Sequence, residues 1–206
     1  MATSSTGTPA SAAVEDPVEP QEVTLIEEGD VKLVLQNGTR VRVSSVVLSL
    51  ASPVFKKMLG PHYLEGQAPR SAEQPKEVQL PDDDPNAMGK MLALLHFHDA
   101  DTRIAVISPA ELANLAVAVD KYDCVTALAL TTEALLKRCT EPGAVPLLYV
   151  QTLPYYARLA TAAFLLRNKN LFVKYTRLLV VECAGSCLDI TDIEECKPLP
   201  DNVITS

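Results

Sequence analysis

Residues 43–60 have the sequence VSSVVLSLASPVFKKMLG, in which apolar side chains recur at helical spacing on both sides of a serine–proline pair. Serine is a favoured N-cap, and proline suits the first position of a helix because its missing N–H would have no partner there. Ser52 and Pro53 therefore predict two short helices with a break between them. Gly60 and Pro61 predict the end of the second helix.

The preceding residues 31–43 predict a β-hairpin. Apolar and polar residues alternate on both sides of Asn37-Gly38, a dipeptide that favours a tight turn. The apolar residues that would share one face are Val31, Leu33, Leu35, Val41 and Val43. Before the hairpin, residues 1–22 are rich in alanine, serine, threonine, proline and glutamate and contain no aromatic residue, so we predict a disordered acidic tail.

Beyond residue 75 the pattern predicts one more strand and a helix. Val78 and Leu80 indicate the strand, and the acid–proline pair Asp84-Pro85 indicates where the helix starts. Its inward-facing residues would be Met88, Met91, Leu92 and Leu95.

The rest of the chain predicts further helices. Ser108-Pro109-Ala110-Glu111 combines an N-cap, a first-position proline and the glutamate of a capping box. The apolar stripe of that helix would be Leu112, Leu115, Ala116 and Val119. Residues 125–139 predict another helix, residues 145–184 predict two or three more, and residues 189–206 predict a loose acidic tail.

Charge and composition exclude several classes of function. The net charge is −8, and the acids concentrate at the ends: residues 1–28 hold six acids and no base. The lysines and arginines never occur in a run longer than two, which argues against nucleic-acid binding because phosphate neutralisation needs a dense basic face. The longest uncharged apolar stretch, residues 142–157, contains three prolines and does not predict a membrane span.

The N-terminus and the cysteines indicate a compartment. The first residues show no basic region followed by an apolar run, so we predict no secretory signal. Five cysteines without regular spacing are typical of a reducing environment. We therefore expect the protein in the cytoplasm, the nucleus or both.

Histidine is the side chain that catalysis and metal sites use most often, but its placement here favours neither. His96 and His98 are two residues apart near a predicted helix end, so they would lie on roughly opposite faces. We expect a polar helix terminus there. His62 lies in a predicted loop, where solvation is the expected state.

The cysteines and the nucleotide motifs also predict no reaction centre. Cys183 and Cys187 are four residues apart on a predicted helix, and with Cys196 they lack the fourth ligand that zinc needs, so we expect buried thiols. The motifs GxxxxGK(S/T), GxGxxG and GxSxG do not occur. The acidic residues 82–84 lack the spacing of a calcium loop and predict a turn. We predict no catalytic residue, no metal ion and no cofactor.

In this order the segments resemble the BTB/POZ domain family, and its fungal branch most closely. The residues that carry the resemblance are Gly29-Asp30-Val31, Val43 to Leu48, Ser52 to Leu59, Val78 to Asp83, Leu95-His96, Leu115-Ala116 and Asp120 to Cys124. The resemblance spans residues 23–140 and implies an α+β, mainly helical fold in which a short β-sheet flanks a helical cluster. Residues 141–188 would then be a C-terminal helical extension, between that domain and the acidic tail 189–206.

The resemblance also implies what the protein does. Family members present surfaces for self-association, for cullin scaffolds of ubiquitin ligases or for transcriptional corepressors, and they are not enzymes. Many cullin-binding members carry a hydrophobic-x-Glu triplet after the Ser-Pro-x-Phe helix, and Tyr63-Leu64-Glu65 occupies that place here. We therefore predict Tyr63, Leu64 and Glu65 as partner-binding residues.

Two departures from the family pattern narrow the function. The His-Lys pair common after the second strand is Ser44-Ser45 here, and the lysine normally joins Asp30 in the pocket that binds corepressors. Many dimeric members also have a helix before the first strand, which the proline-rich residues 1–22 do not predict. The sequence therefore predicts the fold more strongly than it predicts corepressor binding or a domain-swapped homodimer.

The leading hypothesis is an intracellular protein-interaction module, specifically an adaptor between a cullin and a partner protein. The first alternative is a structural or oligomerisation subunit, or a transcription-related scaffold without a cullin, in which the chain forms a homodimer. The second alternative is an enzyme that uses Cys124, Cys183 or a histidine.

Overall fold

A computed structural model describes residues 21–61, 63, 70–98, 107–140, 153–182 and 193–199. Four strands form one sheet: β1 (Glu22–Thr24), β2 (Val31–Leu35), β3 (Arg40–Val43) and β4 (Lys76–Leu80). Their order across the sheet is β1-β3-β2-β4. β2 and β3 pair antiparallel, whereas β1 pairs parallel to β3 and β4 pairs parallel to β2.

The predicted hairpin is confirmed. Val31 lies opposite Val43 and Leu33 opposite Val41, so the alternating apolar residues lie together in the core. Gly38 takes a φ of 79° in the turn, a conformation that glycine adopts without steric cost. β1 begins at Glu22, one residue inside the segment predicted as a tail, and there Glu22 forms an ion pair with Lys32.

The two short helices are also confirmed. They are α1 (Ser45–Ala51) and α2 (Pro53–Met58), with Ser44 and Ser52 as their N-caps. The Oγ atom of Ser52 accepts the backbone N–H of Phe55 at 3.0 Å, which satisfies one of the free donors at the start of α2.

The next two helices start at the predicted residues. Asp84 caps α3 (Pro85–Leu95) through the backbone N–H of Ala87, and Ser108 and Glu111 form a capping box at the start of α4 (Pro109–Lys121). The predicted apolar residues of both helices are buried. α3 and α4 pack against each other. Together with the sheet, α1 and α2, they enclose the part of the hydrophobic core to which residues 25–119 contribute.

α5 (Ala129–Arg138) is shorter than predicted, because it begins four residues after Val125. Asp123 has a φ of 49°, and residues 125–128 form turns in which Val125 and Leu128 are buried. Their burial gives this segment the apolar pattern of a helix although its backbone is not yet helical. The spacing of the apolar residues alone did not distinguish a buried turn from a helix.

Two helices lie in the described part of the extension, in agreement with the prediction of two or three: α6 (Leu153–Leu165) and α7 (Lys169–Glu182). α6 packs against both α4 and α7. No helix in the described ranges has the length and apolar character needed to span a membrane.

Part of the predicted acidic tail is packed rather than loose. Residues 194–196 form a 3₁₀ helix that contacts α4 and α6, and Cys196 and Leu199 are buried. The buried apolar area of these two side chains offsets the polar character that predicted a tail. The helix predicted for Cys183 and Cys187 falls outside the described residues.

Candidate functional site

A buried aromatic pair joins the two most specific sequence segments. The rings of Phe55 on α2 and Tyr122 after α4 stack with their centroids 4.3 Å apart and an interplanar angle of 7°. The Ser52 hydroxyl donates to the backbone carbonyl of Tyr122 while it caps α2. The start of α2 is therefore fixed to the end of α4 by a hydrogen bond and by ring packing.

A buried carboxylate extends this junction to the turn before α3. Asp83 accepts hydrogen bonds from the Tyr122 hydroxyl and from Lys121 Nζ, each at 2.7 Å. Burial, and secondarily the hydrogen bond to Asp83, raises the pKa of Tyr122 well above its usual value, so the phenol stays protonated and donates. Sequence reasoning treated Asp83 as part of a turn and missed this role. The Phe55–Tyr122–Asp83 junction, a buried clamp, thus joins α2, the end of α4 and the turn before α3.

Helix α2, which this clamp joins to α4, leads into the segment that contains Tyr63. The helix ends after Met58, with Leu59 buried as its C-cap residue. The backbone N–H of Gly60 donates to Lys57 at 3.0 Å, and that of Tyr63 donates to Gly60 at 3.2 Å. Tyr63 emerges with 53% of its surface exposed. Of the predicted triplet, Tyr63 is thus at the surface, whereas Leu64 and Glu65, like His62, lie outside the described residues.

Asp30 occupies a second polar cluster, where the sequence showed Ser44-Ser45 in place of the family's His-Lys. The Asp30 carboxylate accepts the backbone N–H of Ser45 at 2.7 Å and its hydroxyl at 2.6 Å. Arg70 Nε lies 3.4 Å from the same carboxylate. Arg70 comes from the segment before β4, so the cation beside Asp30 is supplied from a different part of the chain. Its spacing from Asp30 gives no local signal in the sequence.

His96 is a structural histidine. Its Nε2 atom accepts the backbone N–H of Ser44 at 3.0 Å, and its Nδ1 atom lies 2.9 Å from the carbonyl of Leu92, to which it donates. Burial lowers the pKa of His96, which favours the neutral ring that can accept and donate in this way. His96 therefore joins the end of α3 to the junction of β3 and α1. Among the described residues, no group of three or more histidine, cysteine or acidic side chains is placed to hold a metal ion.

The described cysteines are buried thiols. Burial raises the pKa of Cys124 and of Cys139 to about 11, so both remain protonated near neutral pH. Cys196 is also buried. A thiol nucleophile must be ionised and accessible, which describes neither Cys124 nor Cys139.

The architecture defines a class of protein: an α+β domain whose short sheet flanks a helical cluster, with a buried aromatic pair that joins α2 to the end of α4. Residues 24–138 match the family model of the BTB/POZ domain, which is more than half of the 206-residue chain. The chain belongs to the BTB/POZ domain family. This confirms the predicted family and fold, and it makes the domain a protein-interaction module. No curated protein matches the sequence. Membership of the fungal branch stays a prediction.

Proposed function

We propose that this protein is an adaptor that binds a cullin scaffold through the segment that begins at Tyr63. The observation that carries the proposal is the position of Tyr63, which is half exposed and lies five residues after the end of α2, the helix that the buried clamp joins to α4. Tyrosine at such a site supplies a large contact area with few rotatable bonds, which is why aromatic residues are frequent among the residues that dominate binding energy.

Three observations support the proposal. The chain belongs to a family of interaction modules, and residues 63–65 hold a hydrophobic residue and a glutamate in the spacing predicted above. The thiols of Cys124 and Cys139, which an enzyme could use as nucleophiles, are buried and protonated.

A direct binding measurement tests the adaptor role. We expect the purified chain to bind the purified N-terminal region of a cullin from its own organism in isothermal titration calorimetry. The combined substitution Tyr63→Ala and Glu65→Ala should weaken that binding at least 30-fold, about 2 kcal/mol, as expected for loss of an interface anchor. Leu130→Ala is the matched control, because Leu130 is an exposed apolar side chain on α5, a different helix from the one that precedes Tyr63. If the wild-type chain shows no binding, or if the double substitution leaves the affinity unchanged, the adaptor role is wrong.

A second candidate function is self-association, which the exposed face of α1 favours. Val46 and Leu50 are one helical turn apart and are 65% and 84% exposed. BTB domains also mediate dimerisation, so the occupant of this face would be a second copy. Sedimentation equilibrium distinguishes the two functions: a chain that stays monomeric at high micromolar concentration excludes the homodimer and leaves hetero-partner binding.

A further inference from the structure

Helix α7, outside the residues that match the family model, has an exposed apolar stripe. Val173, Val180 and Val181 are 56%, 67% and 68% exposed, although valine is a residue that folding normally buries. The opposite face of the helix, with Leu171, Tyr175 and Leu179, is buried against the rest of the protein. Val173 and Val180 are seven residues apart, so they lie nearly in line along one side of the helix.

Cations flank this stripe on the exposed side of α7. Lys169 and Arg177 make no ion pair or hydrogen bond with the described part of the chain. Lys174, on the same exposed side, donates to Thr140 Oγ1 at 3.3 Å and lies over the ring of Tyr175. Residues 169–181 contain no acid, in a chain whose net charge is −8. The outer face of α7 is thus a local positive area on an acidic protein.

The charges of this face decide which occupant suits it. A second copy that paired α7 against α7 would bring Lys169 and Arg177 close to like charges, which is unfavourable. An anionic membrane would attract these few cations but repel the net negative charge of the whole chain, and the stripe offers valine rather than the aromatic and leucine residues typical of interfacial helices. Nucleic acid would require more cations than one helix face supplies here.

We propose that the outer face of α7 docks an amphipathic helix of a partner protein whose apolar seam is flanked by glutamate or aspartate. A helix packed alongside α7 would place apolar side chains against Val173 and Val180, which repeat with the seven-residue period of helix pairs. Its acidic flanks would meet Lys169 and Arg177. This surface lies on a different helix from the one that precedes Tyr63, so the proposal does not depend on cullin binding.

Two synthetic helices provide the test. Both have leucine at the a and d positions over about three heptads, and they differ only in having glutamate or lysine at the e and g positions, where like charges also disfavour self-pairing. Fluorescence anisotropy with the full chain at about 50 mM salt should show the glutamate helix binding at least tenfold more tightly than the lysine helix. The combined substitution Lys169→Glu and Arg177→Glu should reverse that preference, while Val173→Ser with Val180→Ser should weaken binding of both helices.

Several outcomes would overturn the proposal. These are no binding of either helix, equal binding of both, or a preference that the charge reversal leaves unchanged. Tighter binding of a peptide spanning residues 14–22, the chain's own acidic segment, would make that segment the occupant instead.

Because all four substituted side chains on α7 are exposed, circular dichroism should show an unchanged fold. Retained cullin affinity in the same variants would show that this surface and the Tyr63 segment act independently.

Discussion

Tyr122 combines two interactions that are usually separate. Its ring packs face to face on Phe55, and its hydroxyl donates to the buried Asp83 carboxylate. A hydrogen bond to a charged acceptor in a buried site contributes more than one between neutral groups at the surface. Tyr122 is therefore joined to α2 by ring packing and to the turn before α3 by a charge-assisted hydrogen bond.

Removal of the Tyr122 hydroxyl should be costly although the ring remains. We expect Tyr122→Phe to lower the free energy of unfolding by about 1.5–3 kcal/mol, because Asp83 loses one of its two donors. Urea unfolding followed by circular dichroism measures the change. Tyr63→Phe removes the same atom from an exposed side chain and should change stability by less than about 0.5 kcal/mol. Equal effects in the two variants would show that the buried hydrogen bond contributes nothing specific.

His96 predicts how stability depends on pH. Burial lowers its pKa below the usual 6.5, so the unfolded chain binds a proton at a higher pH than the folded chain does. The stability that neutral His96 contributes is fully present above about pH 7 and decreases as the pH falls below 6.5 toward the lower folded-state pKa. Protonation of Nε2 would also remove the acceptor that Ser44 N–H uses.

The measurement is urea unfolding of the wild type and of His96→Gln between pH 8 and pH 5.5. The wild type should lose stability over this range, and His96→Gln should lose clearly less. The same decrease in both proteins would assign the pH dependence to other groups.

Among the secondary-structure elements, those with strong local signals were predictable. The starts of three helices were predictable because each cap interaction is made within four residues. These starts are at Ser52-Pro53, at Asp84-Pro85 and at the capping box of Ser108. The start of α5 was not predictable, since Leu128 makes no side-chain cap and the preceding turns are themselves buried. Contacts such as Arg70 with Asp30 depend on packing between distant segments, which no local pattern encodes.

The extension is joined to the domain by buried tyrosine hydroxyls. Tyr175 on α7 donates to the carbonyl of Leu136 on α5 at 2.6 Å, and Tyr155 on α6 donates to the carbonyl of Cys139. Arg167, between α6 and α7, pairs with Asp120 and Asp123 at the end of α4. These contacts make residues 153–182 part of the same packed body as the residues that match the family model.

We expect the domain and the extension to unfold together. Tyr175→Phe should lower the free energy of unfolding by about 1 kcal/mol, the usual value for a buried hydrogen bond. In hydrogen exchange, the slowest amides of α3 and of α7 should lose the same amount of protection. Loss confined to α7 would show that the extension unfolds independently of the domain.

In the whole molecule, the two proposed surfaces lie on different elements of the chain. The Tyr63 segment follows α2 in the domain that matches the family, whereas the valine stripe lies on the last long helix of the extension. An adaptor needs two such surfaces, one for the scaffold and one for the protein that is delivered to it. The family supplies a precedent for the first surface only, and the second comes from the exposed valines and cations of α7.

The most direct test of the central claim is quantitative mass spectrometry of proteins captured by the full chain from its native cell. We predict that a cullin is enriched with the wild-type chain and lost with Tyr63→Ala combined with Glu65→Ala, while Leu130→Ala captures as much cullin as the wild type. Capture of the same partners by the wild type and the double variant, or capture without any cullin, would contradict the account.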